Sequence, residues 1–303
     1  PDQFNGVADL GEPGQPAFPG ILGTGLTGVE ICTGGGLYGS HTEQALYAVR
    51  PGALGGAAPS LVWGQNGVID LAAVVQSRPD VISQLDDLGS RIRAFDGGDL
   101  LAVAAPATGH WFLIRPNGEL ATSHPSGGVL SLSEVTGSPS VSGGLDRRAS
   151  GAFVAIDRLS GTVWGLTEVG ELDTSFGNNG AVVLGNTFPE YEVSNTVGES
   201  LRILANNSVA ITDGATAQIF IVRPDGTPDT TLGANNSGVL TLDSGFVPAV
   251  ETLGDLVRFG AGFAVAEPAR NSLLFVGAGG GPIPGALSGS ANNGRLRIIG
   301  QGG

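Results

Sequence analysis

A chain of 303 residues, of which 41% are apolar and only 14% charged, has enough apolar side chains to bury a globular core, which excludes a disordered chain. Its net charge of −14 makes nucleic acid and anionic membrane surfaces poor partners. All basic residues are arginine, which excludes P-loop and Schiff-base chemistry, and no apolar run approaches the about 20 residues of a membrane-spanning helix.

Short apolar strands, each preceded by a glycine, recur along the whole chain. The clearest copy reads GELDTSFGNNGAVVL from Gly170, and related copies begin at Gly118 and Gly226. The glycines directly before these strands, called the marker glycines, are spaced by 61, 61, 52, 58 and 56 residues: Gly6, Gly67, Gly128, Gly180, Gly238 and Gly294. A period of this length indicates a repeat architecture.

Upstream of each marker, an apolar strand ends in a turn such as RPNG or RPDG, and a hairpin of two further strands precedes that strand. The last residues of these turns are Gly52, Gly118, Gly170, Gly226 and Gly281. Four short strands per unit predict an all-β fold, a single β-propeller domain with five blades of four antiparallel strands. The predicted units are 7–67, 68–128, 129–180, 181–238 and 239–294, with terminal strands in 1–6 and 295–303.

The segment between Gly67 and Ser90 departs from this repetition. Pro79 lies near a possible helix start, and Val81, Leu85 and Leu88 follow at helical spacing. The pattern predicts a short helical insertion, and we favour a packed connection between blades over a partner-binding helix.

The turn sequences resemble the bacterial delta-60 repeat, in which an Asn-Gly or Asp-Gly turn is followed by LDTSFG, a further glycine and a β-strand. The resemblance is closest at Leu172–Gly180 and weaker at Leu120–Gly128 and Pro228–Gly238. It implies a β-propeller and carries no catalytic residues to transfer.

Equivalent positions of a repeat form a ring around a common axis, so polar residues that recur there are candidates for a ligand site. Four arginines and one glutamate recur at one point of the strand that follows the long connection: Glu30, Arg93, Arg147, Arg202 and Arg258. Guanidinium groups suit fork-like binding of a carboxylate or sulfate. The alternative, which we favour, is structural: each arginine binds backbone carbonyls of a neighbouring blade.

Other candidate chemistry is weaker. Asp173, Asp225 and Asp229 lack the spacing of a calcium loop, which favours local capping of turn amides. The three histidines fall at unrelated points of their repeats, and GTGLTG from Gly23 precedes a strand instead of a helix. We therefore predict no catalytic residues, no metal and no cofactor, and leave open whether the chain is an enzyme.

The preferred hypothesis is a non-catalytic scaffold or protein–protein interaction module within a larger assembly. GVADL from Gly6 and RLRII from Arg295 both resemble a closing strand, so one of them could pair with another subunit or a second copy by strand addition. The alternative is a glycan-binding or glycan-cleaving propeller with an axial site. Localisation stays open, with an extracellular, cell-surface or periplasmic site favoured over the cytoplasm.

Overall fold

A computed structural model describes about two thirds of the chain. The described residues are 28–31, 37–40, 45–51, 57–59, 68–77, 92–95, 99–189, 191, 197–242, 246, 249–250, 253–254, 256–259, 262–267, 272–283 and 295–297. The chain divides into two compact units, Pro1–Ser142 and Gly143–Gly303. The prediction of a single domain therefore stays a prediction.

The first unit contains two antiparallel sheets. Sheet 1 has the strand order β1-β2-β3-β4, and β5 also pairs with β3. Sheet 2 has the order β6-β7-β8-β9. The strands of both sheets are β1 (Gly28–Ile31), β2 (Leu37–Ser40), β3 (Ala45–Pro51), β4 (Ala57–Pro59), β5 (Val68–Asp70), β6 (Ile92–Phe95), β7 (Leu100–Ala105), β8 (His110–Ile114) and β9 (Val129–Ser131).

The second unit contains three antiparallel sheets of four strands in sequence order: sheet 3 from β10 to β13, sheet 4 from β14 to β17 and sheet 5 from β18 to β21. Their strands are β10 (Ser142–Arg147), β11 (Phe153–Asp157), β12 (Thr162–Leu166), β13 (Ala181–Val183), β14 (Val197–Ile203), β15 (Val209–Asp213), β16 (Gln218–Val222), β17 (Val239–Thr241), β18 (Leu256–Phe259), β19 (Gly262–Glu267), β20 (Ser272–Val276) and β21 (Arg295–Arg297).

Short helices follow the last strand of the first three sheets. They are α1 (Leu71–Val74), α2 (Leu132–Thr136) and α3 (Leu184–Thr187), and 3-10 turns cover Val75–Ser77, Pro106–Thr108 and Ala234–Asn236. A buried leucine begins each helix. In α2 and α3 its amide binds the turn between the second and third strands, called the 2–3 turn: Leu132 donates to the carbonyl of Gly109 at 2.9 Å and Leu184 to that of Gly161 at 3.1 Å. This bond fixes where each connection leaves its sheet.

Successive side chains of a strand point to opposite faces of its sheet. In sheet 4 successive side chains are apolar, so both faces of the sheet are apolar. Val209 and Ile211 belong to one buried cluster with Val154 and Ile156 of sheet 3. Ala210, between them, belongs to a second cluster that includes side chains of sheet 5. The sheets of the second unit are therefore packed face to face, with sheet 4 in the middle.

The third strand of sheets 2 to 5 ends in the same turn. In sheet 2 the amide of Gly118 donates to the carbonyl of Arg115 at 2.9 Å, and the amide of Arg115 donates to the carbonyl of Glu119. A glycine with positive φ occupies the fourth position each time, as in a type I turn with a bulge: Gly118 (84°), Gly170 (88°), Gly226 (86°) and Gly280 (93°). Gly280, not the predicted Gly281, is thus the equivalent residue in sheet 5.

The marker glycines have a steric reason to recur. Gly128, Gly180 and Gly238 have φ values of 87°, 91° and 76°, which side chains disfavour. A Cβ atom on Gly128 would lie 2.7 Å from Cγ of Leu120, and one on Gly180 would lie 2.5 Å from Cγ of Leu172. Glycine is therefore required by both the backbone conformation and the close approach of the preceding turn.

The structure confirms the predicted all-β architecture of antiparallel sheets, and the described chain contains five of them. The sheets are offset from the predicted repeat units, because the strand after each described marker closes the preceding sheet. RLR of β21 pairs with β20 and completes sheet 5, whereas the similar GVADL lies outside the described residues, as do residues 1–6 and 78–91 with the predicted helical insertion. The number of blades stays a prediction.

Candidate functional site

The five residues of the predicted axial ring lie on the first strands of the five sheets. Glu30 is on β1, Arg93 on β6, Arg147 on β10, Arg202 on β14 and Arg258 on β18. Arg93, Arg147 and Arg202 are half-buried, and the side chains of Glu30 and Arg258 lie outside the described residues. Ligand binding by the whole ring stays a prediction, as does the glycan site that depends on Glu30.

Arg202 binds backbone of the neighbouring sheet. Its Nε donates to the carbonyl of Leu256 on β18 at 3.1 Å, and its Nη1 donates to the carbonyl of Leu201 at 3.3 Å. One sheet earlier, Asp146 on β10 accepts a 2.8 Å hydrogen bond from the amide of Ile203 on β14. Charged side chains of the first strands thus connect sheets 3, 4 and 5.

Arg147 is used differently, within its own sheet. Its Nε donates to the carbonyl of Gly151 at 3.3 Å, and its guanidinium lies 3.5 Å from the carboxylate of Glu168. The same guanidinium lies over the ring of Phe153, 5.6 Å from the centroid. Equivalent places in the sequence therefore do not give Arg147 and Arg202 the same partners.

The turn aspartates cap amides, as the sequence predicts. Asp229 is 1% exposed, and it accepts bonds from the amide and hydroxyl of Thr231 on one oxygen and from Asn206 and Ser208 on the other. Burial alone would raise the pKa of Asp229, but these hydrogen bonds outweigh it and lower the pKa to about 2. Asp173 caps Ser175 in the same way and pairs with Arg148 at 3.1 Å.

A second series of buried acids was missed from the sequence. Asp157, Asp213 and Glu267 end the second strands of sheets 3, 4 and 5, and they are 4%, 0% and 0% exposed. Each accepts a hydrogen bond from a nearby hydroxyl: Ser160 of the 2–3 turn at 2.7 Å, Thr216 of the 2–3 turn at 2.9 Å, and Ser272, the first residue of β20, at 2.7 Å. The recurrence of an acid five residues before the first residue of each of these third strands is the signal that could have revealed them.

A pocket of about 400 Å³ lies at the 2–3 turn of sheet 2. His110, the first residue of β8, lines this pocket and is 4% exposed, and its Nε2 is 3.9 Å from Oε1 of the exposed Glu134 on α2. Ser133 donates a 2.6 Å hydrogen bond to the carbonyl of Thr108. The lining residues are Ala107, Thr108, His110, Ser133, Glu134, Pro139 and Ser140.

In sheet 3 the connection after α3 places Tyr191, which is 8% exposed, against the 2–3 turn. A Cβ atom on Gly161 of the 2–3 turn would overlap the Tyr191 hydroxyl. Burial, and to a smaller extent the charge of Asp213, raises the pKa of Tyr191 to about 12. The hydroxyl has no hydrogen-bond partner among the described residues.

The remaining candidates do not form a metal centre in the described ranges, where no three His, Cys, Asp or Glu side chains are grouped for an ion. His124 makes a 2.9 Å hydrogen bond to Ser126 two residues away, and His41 lies outside those ranges. No helix of the described part has the length and apolarity to cross a bilayer.

Comparison with known proteins rests on structure. No protein family and no curated protein matches the sequence. A streptogramin B lyase structure is similar with a TM-score of 0.53, 9% identity and coverage of 92% of this chain and 70% of that chain. A virginiamycin B lyase from Staphylococcus aureus is similar with a TM-score of 0.51, 10% identity and coverage of 92% of this chain and 71% of that chain. The WD40 repeats of RRP9 give a TM-score of 0.45, 10% identity and coverage of 84% of this chain and 62% of that chain.

The fold is a β-propeller. At 9 to 10% identity, the similarity to the two lyases shows the fold and nothing about activity.

Proposed function

We propose that this propeller is a non-catalytic scaffold, an interaction module in a larger assembly outside the cell or at its surface. We also propose that its repeats are divergent delta-60 repeats, because the motif at Leu172–Gly180 resembles that repeat. Both proposals go beyond the fold.

One observation carries the scaffold role: two charged residues on the first strands of the second unit, Asp146 and Arg202, join neighbouring sheets. Arg202 binds the backbone of sheet 5, and Asp146 binds the backbone of sheet 4. Hydrogen bonds with a charged partner are about twice as strong as neutral ones, so these residues stiffen the contact between sheets. Charged side chains that are already bound to the backbone of a neighbouring sheet favour a structural role over ligand binding.

The turn aspartates support the same interpretation. Asp229 connects the hairpin between β14 and β15, through Asn206 and Ser208, to the turn that carries Thr231. Asp173 does the equivalent in sheet 3 through Arg148. One end of each of these sheets is therefore held rigid, which suits a surface that presents loops to other subunits.

The partners that we propose are other protein subunits, including a second copy bound by strand addition. The segment NGVADL from Asn5 differs at one residue from NGVIDL at 66–71, whose residues Val68–Asp70 pair with β3 and close sheet 1. A segment with the sequence of a closing strand is suited to completing a sheet of another subunit.

The oligomeric state tests this proposal. We expect light scattering after size-exclusion chromatography to give a mass above 30.3 kDa. The Val7→Pro variant should shift toward the monomer, because proline removes an amide that strand addition would use. Val7→Thr keeps the β propensity and is the matched control. A wild-type protein that stays monomeric at every concentration, alone and in extracts, would contradict the scaffold role.

A further inference from the structure

The connection between β16 and β17 is two residues longer than its counterpart between β12 and β13. Gly177 and Gly180 of sheet 3 make backbone hydrogen bonds that Gly233 and Gly238 repeat in sheet 4, through the amide of the first glycine and the carbonyl of the second. Two residues separate the glycines in sheet 3, whereas four residues, 234–237, separate them in sheet 4. The two extra residues therefore belong to a loop between fixed points.

This loop presents two asparagine side chains to solvent. Asn235 and Asn236 are both exposed, with positive φ values of 55° and 57°, a conformation that asparagine tolerates better than most residues. The amide of Asn236 donates to the carbonyl of Gly233 at 3.3 Å, which closes the base of the loop. The hydrogen bonds among the described residues leave the side-chain amide of Asn235 unbound.

The loop also carries an acceptor sequence for N-linked sugars. Asn235, Asn236 and Ser237 read Asn-x-Ser, and the middle residue is not proline. Ser237 is half-buried, and its hydroxyl accepts a hydrogen bond from the amide of Val239 at 3.2 Å. The hydroxyl of the acceptor sequence is thus held at the base of the loop, and the Asn235 amide lies in solvent.

A second Asn-x-Ser sequence, at 206–208, is bound within the fold. Nδ2 of Asn206 donates to the carboxylate of Asp229 at 3.0 Å, and its Oδ1 accepts the amide of Ser208 at 3.1 Å. Ser208 is 1% exposed, and its hydroxyl donates to the same carboxylate at 2.9 Å. Hydrogen bonds to a charged acceptor are stronger than neutral ones, so the Asn206 amide is not available to a reacting group.

We propose that Asn235 is a modification site that accepts an N-linked sugar from a glycosyl diphosphate. Nδ2 of Asn235 forms a bond to the anomeric carbon of the sugar and loses one proton to a base of the transferase. The bond between the anomeric carbon and the diphosphate oxygen breaks, and the diphosphate leaves with the electron pair. The inference rests on the proposed location outside the cell or at its surface, where N-linked sugars occur on exposed loops.

Two transferases test the proposal and separate the two sources of the sugar. The folded full-length chain is incubated with UDP-glucose and a soluble N-glucosyltransferase, or with a lipid-linked oligosaccharide diphosphate and an oligosaccharyltransferase. Mass spectrometry of peptides then locates the sugar. We expect Asn235 to be modified at least about tenfold faster than Asn206, because Asn206 must first leave Asp229. In a tryptic digest, which has no fold, the two rates should converge.

Variants of the loop provide the matched controls. Asn235→Gln should abolish the modification, whereas Asn236→Gly keeps the acceptor sequence and the positive φ and should leave it unchanged. Ser237→Ala should lose the sugar, and Ser237→Thr, which restores a hydroxyl, should keep it. The absence of sugar on Asn235 of the folded chain with both donors, or equal rates at Asn206 and Asn235, overturns the proposal.

The modification site and the scaffold role can fail separately. The transfer needs only the exposed loop of a single chain, so a monomer accepts the sugar as readily as an assembly does. A protein that forms oligomers but carries no sugar at Asn235 would overturn the site and leave the scaffold role. A monomer that is modified at Asn235 would support the site and contradict the scaffold role.

Discussion

The 2–3 turns of sheets 2 and 3 make the same hydrogen bond to the following helix, but different atoms cover them. In sheet 3 the phenol end of Tyr191 lies against Gly161, whereas in sheet 2 the carbonyl oxygen and the Cβ atom of Ser140 lie against Gly109. The amides of Leu132 and Leu184 make the shared hydrogen bond. The difference shows that a repeated turn can be covered by an aromatic ring in one copy and by main chain in another.

Removing the aromatic ring should give the largest effect. We expect Tyr191→Ala to lower the free energy of unfolding in urea by about 3–5 kcal/mol, because it leaves a cavity among Phe188 and Phe220. Ser140→Ala, the matched change in sheet 2, should cost less than about 1 kcal/mol. Equal losses of stability in the two variants would contradict the conclusion that an aromatic ring covers the 2–3 turn in sheet 3 and not in sheet 2.

The same cavity should bind a ring from solution. In Tyr191→Ala, p-cresol should shift the amide NMR signal of Gly161, and in wild type it should not. An unshifted Gly161 signal in the variant would show that the cavity has collapsed.

Alkaline pH should expose the next largest difference. The folded pKa of Tyr191, about 12, lies above the unfolded value of about 10, so this contribution to stability is complete below pH 10 and is lost as the pH rises from 10 to 12. We expect wild type to lose about 2–3 kcal/mol more than Tyr191→Phe across that range in urea titrations. Parallel pH profiles of the two proteins would argue that the hydroxyl is solvated.

Near neutral pH, Tyr191→Phe should be as stable as wild type or slightly more so. The hydroxyl that it removes is buried without a hydrogen-bond partner among the described residues. A loss of more than about 1 kcal/mol would reveal a partner for the hydroxyl.

The smallest effects concern the caps of α2 and α3. The Ser131 hydroxyl accepts the amide of Glu134 at 3.2 Å, whereas Val183 has extended N-cap angles but no acceptor. Ser131→Ala should lose about 1 kcal/mol, and Val183→Ser should gain about 0.5–1 kcal/mol, since Val183 is 39% exposed. Thermal unfolding of both variants checks this, and a loss from Val183→Ser would show that its methyl groups matter more than the cap.

The sequence predicts the turns well because they are local. The marker and turn glycines are visible as RPNG, RPDG and NNG, and their positive φ values follow from hydrogen bonds that span four or five residues. The last turn is shifted by one residue, since GAGGG offers several glycines and only Gly280 makes the bond to Gly277. The conformation of such turns can be predicted from the residues within them.

The pocket and the roles of the arginines were not predictable in this way. Tyr191 lies seven residues after Leu184 and Ser140 eight residues after Leu132, so the connections share no spacing that a repeat search could find. Arg147 and Arg202 are aligned in sequence, but one binds Glu168 and the other Leu256, because neighbouring side chains decide which acceptor is in reach. These features depend on tertiary contacts that an alignment of repeats does not contain.

Every described four-stranded sheet is built from consecutive strands, and none borrows a strand from a remote part of the chain. Its hydrogen bonds close over short stretches, which lowers the contact order and reduces the loop entropy lost when each sheet forms. We therefore expect each sheet to form early, and the docking of sheets through faces such as that of Val209 and Ile211 to follow.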